Sequence, residues 1–204
     1  MAATDGTTAH ADPLIDSVTA RSGRSLPADR DLWVFVLGDF VIFSSYFLIF
    51  MVYRNQQHAL FLESQRHLNV GIGMANTLVL LTSSLFIATA VRAARAGKYV
   101  KAGRLTVLSA LCGVVFTAIK AYEWWAKISI GMTFTKNDFF MFYYLLTGVH
   151  LFHVVLGLIF LGVVFFELRS PQHRRPSVVE SGAVYWHMVD LLWIVIFALI
   201  YLMR

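Results

Sequence analysis

Leu191 to Leu202 reads LLWIVIFALIYL, an unbroken apolar run without charge, glycine or proline. A strand of a membrane β-barrel alternates apolar and polar residues over about 10 positions. This stretch does not alternate, so it reads as a helix buried on all sides or crossing a bilayer. Extended back to Ala183 and on to Met203, it reaches the roughly 20 residues that span a hydrocarbon core. Four comparable stretches precede it, at about Leu32 to Tyr53, Val70 to Val91, Leu105 to Trp125 and Phe139 to Phe166. The sequence therefore predicts an all-α integral membrane protein, a five-helix transmembrane bundle over residues 32–204. Short gaps between the stretches favour antiparallel neighbours in one bundle.

Composition agrees. Of 204 residues, 58% are hydrophobic and 14% charged, and the mean hydropathy is +0.65. Both values lie outside the balance of a water-soluble domain. Residues 1–31 (MAATDGTTAHADP and onward) are polar and small, and are expected to form a disordered cytoplasmic tail rather than a cleaved signal peptide. The lone cysteine, Cys112, excludes an intramolecular disulfide, a Cys-ligated iron–sulfur cluster and a CxxCH haem attachment. The net charge of +5 does not point to nucleic acid, because its basic residues lie in gaps between apolar stretches. Arg21, Arg24 and Arg30, then Arg92, Arg95, Lys98, Lys101 and Arg104, then Arg169, Arg174 and Arg175 fall on one side. Arg54, Arg66, Lys127, Lys136 and Arg204 fall on the other. The positive-inside rule then puts the amino terminus in the cytoplasm and the carboxyl terminus outside.

Ionisable side chains within hydrocarbon are costly and are functional candidates by default. Here they are Asp39, Lys120, Glu123, His150, His153, His187 and Asp190. Lys120 with Glu123, His150 with His153, and His187 with Asp190 are each three residues apart, on one helix face. At about 1.5 Å rise per residue, Asp39, His187 and Asp190 form an inner layer. Glu123, Lys120 and His150 form an outer one. A single metal or haem site would need ligands converging within about 2 to 2.5 Å of one ion, which separate layers do not supply. Lys120 and Glu123 either neutralise each other or bind something. His150 and His153 are expected to donate across helices to backbone or hydroxyl oxygens. Asp39 has no basic residue within a turn, so it is protonated, wetted, or paired with another helix such as that of His187. Trp33, Trp124, Trp125, Trp186 and Tyr201 are expected as interfacial anchors and Trp193 as packing. Gly148, Gly157 and Gly162 are expected to permit close helix approach.

Five motifs go further. TGVHLFHVVLG (Thr147 to Gly157) and ESGAVYWHMVDLLW (Glu180 to Trp193) resemble the last two helices of subunit III of the haem-copper oxidases. AYEWW (Ala121 to Trp125), NTLVLLTSS (Asn76 to Ser84) and GDFVIFSSYF (Gly38 to Phe47) resemble that family's Glu-aromatic, Asn-Thr and mid-membrane carboxylate helices. They occur in the family's order and cover nearly everything from residue 32 onward. Mitochondrial-type members have seven helices, of which this chain resembles the last five, with Asp39 where those members carry Glu. The gap RNQQHALFLESQRHLN (Arg54 to Asn69) and the terminal helix look most similar to a five-helix branch associated with nitric oxide reductase.

The resemblance implies a subunit with no redox centre or catalytic residue of its own. It would pack on the catalytic subunit I that holds haem and copper or iron, bind phospholipid, and help sustain proton delivery. Asp39, Glu123, His150, His153, His187 and Asp190 become proton-handling or lipid-binding candidates, and Lys120 a helix lock. The alternative partner is a nitric oxide reductase. A small transporter lacks the usual pointers of repeats and broken helices. A stand-alone haem or metal enzyme would need bound metal in the isolated chain.

Overall fold

The computed structural model describes residues 30–170 and 176–203. The tail over residues 1–29, together with Arg174, Arg175 and Arg204, lies outside the described residues. What is described is helical, without strands. In order come α1 (Arg30–Gln56), α2 (His58–Arg66), α3 (Val70–Arg95), α4 (Tyr99–Ser129), α5 (Asp138–Arg169) and α6 (Pro176–Phe197), which closes in a π turn (Ala198–Leu202). Among the described residues, five helices are long and apolar enough to cross a membrane: α1, α3, α4, α5, and α6 with its π turn.

Local chemistry sets the boundaries. The Asn69 side chain accepts from the Gly71 and Ile72 amides and starts α3. Asn137 accepts from the Phe140 amide to start α5, and its Nδ2 donates to Ser64 on α2. Such caps satisfy donors that a helix start leaves bare. Gly97, at φ +72°, makes the tight turn from α3 to α4, a backbone region that costs glycine little. The polar gap after α1 is itself largely a helix, α2, which buries Phe61, Ser64 and Gln65. Gln65 Nε2 donates to the Ile200 and Met203 carbonyls, tying the end of the last helix to this segment.

The last helix is the centre of the bundle. In the most apolar window of α6 and its π turn 61% of residues are buried, against 22% in α1. The indole of Trp186 explains how this helix holds three others. Its Nε1 donates to Ser83 Oγ on α3 at 3.0 Å. A Cβ added at Gly113 on α4 would lie 2.6 Å from this ring, and one added at Gly157 on α5 2.8 Å from it. Glycine is the residue that lets a full indole sit there. Beside it Ser83 Oγ donates to the Ser109 carbonyl and Ser109 Oγ donates to the Ser83 carbonyl, a reciprocal clasp of α3 to α4. Helix α1 joins through one stripe, Val36, Asp39, Phe43 and Phe50, at the spacing of a single helix face.

Several expectations need correction. Trp186 and Tyr201 are not interfacial anchors, for both are fully enclosed and their polar atoms bond to other helices. Trp125, 67% exposed, keeps the outward position of an anchor. Trp193 packs in the core as expected. Gly157 receives a close neighbour, and Gly148 lies against Trp124, but a side chain at Gly162 would meet nothing within 4 Å.

Gly157→Ala should therefore destabilise the detergent-solubilised protein by about 1 to 3 kcal/mol, the usual cost of overpacking. Gly162→Ala should be neutral or better. Thermal melting of the two variants side by side checks this.

Candidate functional site

The candidate residues gather into three clusters. In the first, Asp39 on α1 meets α5, its Oδ2 lying 3.4 Å from His153 Nε2. Asp39 is 8% exposed and His153 7%. The other ring nitrogen, His153 Nδ1, sits 2.8 Å from the Val149 carbonyl. A carbonyl only accepts, so Nδ1 carries a proton. Asp39 Oδ2 has no hydrogen-bond partner among the described residues, so the carboxyl and the imidazole face each other at ion-pair distance without a closed hydrogen bond. Phe43 closes one side, its ring 5.3 Å from the imidazole.

The second cluster is a closed ring of hydrogen bonds between α4 and the π turn. Lys120 Nζ donates to Glu123 Oε2 at 2.9 Å and to Tyr201 Oη at 2.7 Å. Tyr201 Oη in turn donates to Glu123 Oε1 at 2.7 Å. Both carboxylate oxygens are satisfied. The ammonium also faces the rings of Trp193, Tyr143 and Tyr201 at 4.9, 5.0 and 5.2 Å, a cage whose π faces favour a desolvated cation. Lys120 and Glu123 do neutralise each other, and Tyr201 completes the arrangement. His150 stands beside this cluster, between Phe116 and Trp193. Neither of its ring nitrogens has a hydrogen-bond partner among the described residues, because aromatic walls occupy the positions where an oxygen was expected.

In the third cluster His187 on α6 shares a 2.6 Å hydrogen bond with Ser84 Oγ on α3. Asp190 is buried next to it, and neither of its oxygens has a hydrogen-bond partner among the described residues. Asp39 is paired with α5 and not with the helix of His187. His153 lies 3.4 Å from Asp39 and one turn from His150, so α5 connects the two layers that a depth ruler separates. Among the described residues, no three His, Cys, Asp or Glu side chains converge as metal ligands would.

Sequence reasoning misses Ser84, Tyr143 and the polar role of Tyr201. The signal for Ser84 is weak, since a serine or threonine hydroxyl in an apolar helix usually bonds its own backbone, as Thr77, Thr82 and Thr89 do here, and a tyrosine near a span end reads first as an interfacial anchor.

The family model described as cytochrome c oxidase subunit III matches residues 30–204. A cytochrome c oxidase subunit 3 of Synechocystis sp. is 30% identical over 173 residues, covering 83% of this chain and 73% of that one. A quinol oxidase subunit 3 of Bacillus subtilis is 28% identical over 173 residues, covering 84% of each. A haem-copper oxidase subunit I+III of Aeropyrum pernix is 28% identical over 185 residues, which make up 84% of this chain and 22% of that protein. The chain belongs to the cytochrome c oxidase subunit III family. The relatives are named as oxidases, which favours an oxidase subunit over the nitric oxide reductase branch.

Breaking the buried ring from one side leaves a charge unpaired. Lys120→Met should cost about 3 to 5 kcal/mol, whereas the double change Lys120→Met with Glu123→Leu should recover most of it. Thermal melting of the single and double variants in detergent measures the coupling.

Proposed function

We propose that this chain is the non-catalytic third subunit of an oxygen-reducing haem-copper oxidase in a bacterial plasma membrane. It packs on the catalytic subunit I, which holds the haem and copper, and it supports proton supply and the durability of that site. The fused relative supports the pairing, because there a subunit I and a subunit III share one polypeptide. The structural observation that carries the proton-handling part is the Asp39–His153 contact. It brings a buried carboxyl and a buried imidazole from two helices within ion-pair distance, two side chains of the kinds that carry protons. Phospholipid is bound along the outer faces of the helices, where apolar side chains such as Leu37, Val41, Leu48 and Phe166 are exposed.

The amino terminus faces the cytoplasm. Arg92, Arg95, Lys98, Lys101, Arg104 and Arg169 gather at one end of the bundle. At the other, the described basic residues are fewer, Arg54, Arg66, Lys127 and Lys136, and Arg54 and Lys127 donate to the Met203 and His67 carbonyls. That asymmetry has the sign of the positive-inside rule.

Tagged chain drawn from its native membranes in mild detergent should bring down a haem-bearing catalytic subunit, seen by mass spectrometry and a reduced-minus-oxidised spectrum. Recovery of a colourless chain alone would reverse the proposal. Asp39→Asn should leave the complex assembled and shorten its active lifetime under sustained turnover. Unchanged assembly, rate and lifetime would strip the carboxylate of its role.

A further inference from the structure

Helices α3 and α6 meet along a seam. Its inner side is closed by two indoles, Trp186 donating to Ser83 and Trp193 to Thr77. On its outer side stand Ser84 and His187, both half-buried and joined by the 2.6 Å hydrogen bond between Oγ and Nδ1. Leu81 and Leu191, one turn away on the same helix faces, are 45% and 49% exposed. Ile194, a further turn along α6, is 42% exposed, so the outer side of the seam lies open over two turns.

His187 is set apart by where it faces. The other ionisable candidates, Asp39, Lys120, Glu123, His150, His153 and Asp190, are all buried. His187 alone among them reaches the outside of the bundle, and its Nε2 makes no hydrogen bond with a described residue. It lies well inside the last helix, which runs from Pro176 to Leu202, roughly 15 Å or more from each end at 1.5 Å per residue. That is close to the middle of a hydrocarbon core about 30 Å thick, where lipid offers acyl chains and no hydrogen-bonding group. Outward hydroxyls such as those of Ser45, Thr82 and Thr89 are spared this loss, because they donate to carbonyls of their own helices. An imidazole whose Nδ1 is held by Ser84 cannot turn its Nε2 back in the same way. Ionisable groups inside membranes face protein or water, and the protein that His187 faces is not part of this chain.

We propose that the outer side of the α3–α6 seam is an intersubunit contact, covered by a transmembrane helix of another subunit that presents a hydroxyl or carboxamide side chain to His187 Nε2. Those two groups both donate and accept, so they serve Nε2 in either tautomer. Leu81, Leu191 and Ile194 supply the apolar packing around that bond, and the bond supplies what packing in hydrocarbon lacks, a preference for one rotation and depth of the incoming helix. The inference rests on the reading that this chain is one subunit of a membrane complex. It adds the face that is covered and the chemistry of what covers it.

The test uses the complex purified through this chain. A benzophenone side chain placed at Leu191 and activated by light in native membranes should join a membrane-spanning peptide of a different subunit, identified by mass spectrometry. His187→Phe, which keeps an aromatic ring and loses the hydrogen bond, should be released from the complex in detergent about threefold to tenfold faster than wild type, the size of one interhelical hydrogen bond in hydrocarbon. His187→Gln, which can still donate and accept, should be retained more firmly than His187→Phe. The two variants should melt alike as isolated full chains, so that their difference in retention reports the contact with the partner. A Leu191 probe that labels only lipid or a second copy of this chain overturns the proposal, as does His187→Phe retained like wild type. If His187→Phe fails to fold, the crosslink decides alone. A wild-type preparation without a haem-bearing subunit overturns the oxidase assignment. Its spectrum distinguishes it from a haem-bearing complex in which the Leu191 probe finds only lipid, which overturns this inference alone.

Discussion

The seat of Trp186 is the contact on which the rest of the bundle depends. In hydrocarbon, apolar attraction does not distinguish a neighbouring helix from lipid, so helices stay together through close packing and internal hydrogen bonds. Trp186 supplies both at one point. Its ring fills space left by Gly113 and Gly157, and its one polar atom is satisfied by Ser83. Three helices are thereby fixed around α6, and the depths at which Asp190, Trp193 and Tyr201 stand follow from that anchorage.

The two buried charge pairs show different solutions to the same cost. Lys120 and Glu123 sit on one helix, are fully hydrogen-bonded, and are wrapped in aromatic rings. Such a closed arrangement holds its protons in place and specifies how the π turn docks on α4. Asp39 and His153 come from different helices, at a longer 3.4 Å, with few groups to fix the charge on either side. The first pair is locked by its hydrogen bonds and the second is held more loosely. Helix α1, joined to the bundle by a single stripe, carries one half of that looser pair.

Much of this was legible in the sequence because long apolar runs and intramembrane charges are each expensive to keep without cause. The number of membrane-spanning helices, their approximate limits and the positions Asp39, Lys120, Glu123, His150 and His153 all come from that logic. What it could not supply was the pairing. Depth along a helix can be counted, but rotation and tilt cannot, so the sequence leaves the neighbour of Asp39 open, and it is α5 that brings His153 to it. In the sequence Trp186 and Tyr201 look interfacial, because amphipathic rings near span ends usually are. Only the glycines facing Trp186, and the carboxylate facing Tyr201, reveal them as core. Helix α2 was hidden because nine mixed polar residues, HALFLESQR, carry no span-length signal.

The π turn at Ala198–Leu202 bears on which changes the chain can tolerate. In a regular α-helix, residues eight apart differ by about 80° in direction. The wider π winding takes up much of that offset, and it lets Trp193 and Tyr201 both face Lys120. The buried ring of hydrogen bonds thus depends on a count of residues as well as on their kinds. Substitutions within ALIYL that keep it apolar can preserve that register, while loss or gain of one residue there would turn Tyr201 toward the lipid and leave Lys120 and Glu123 without their third member.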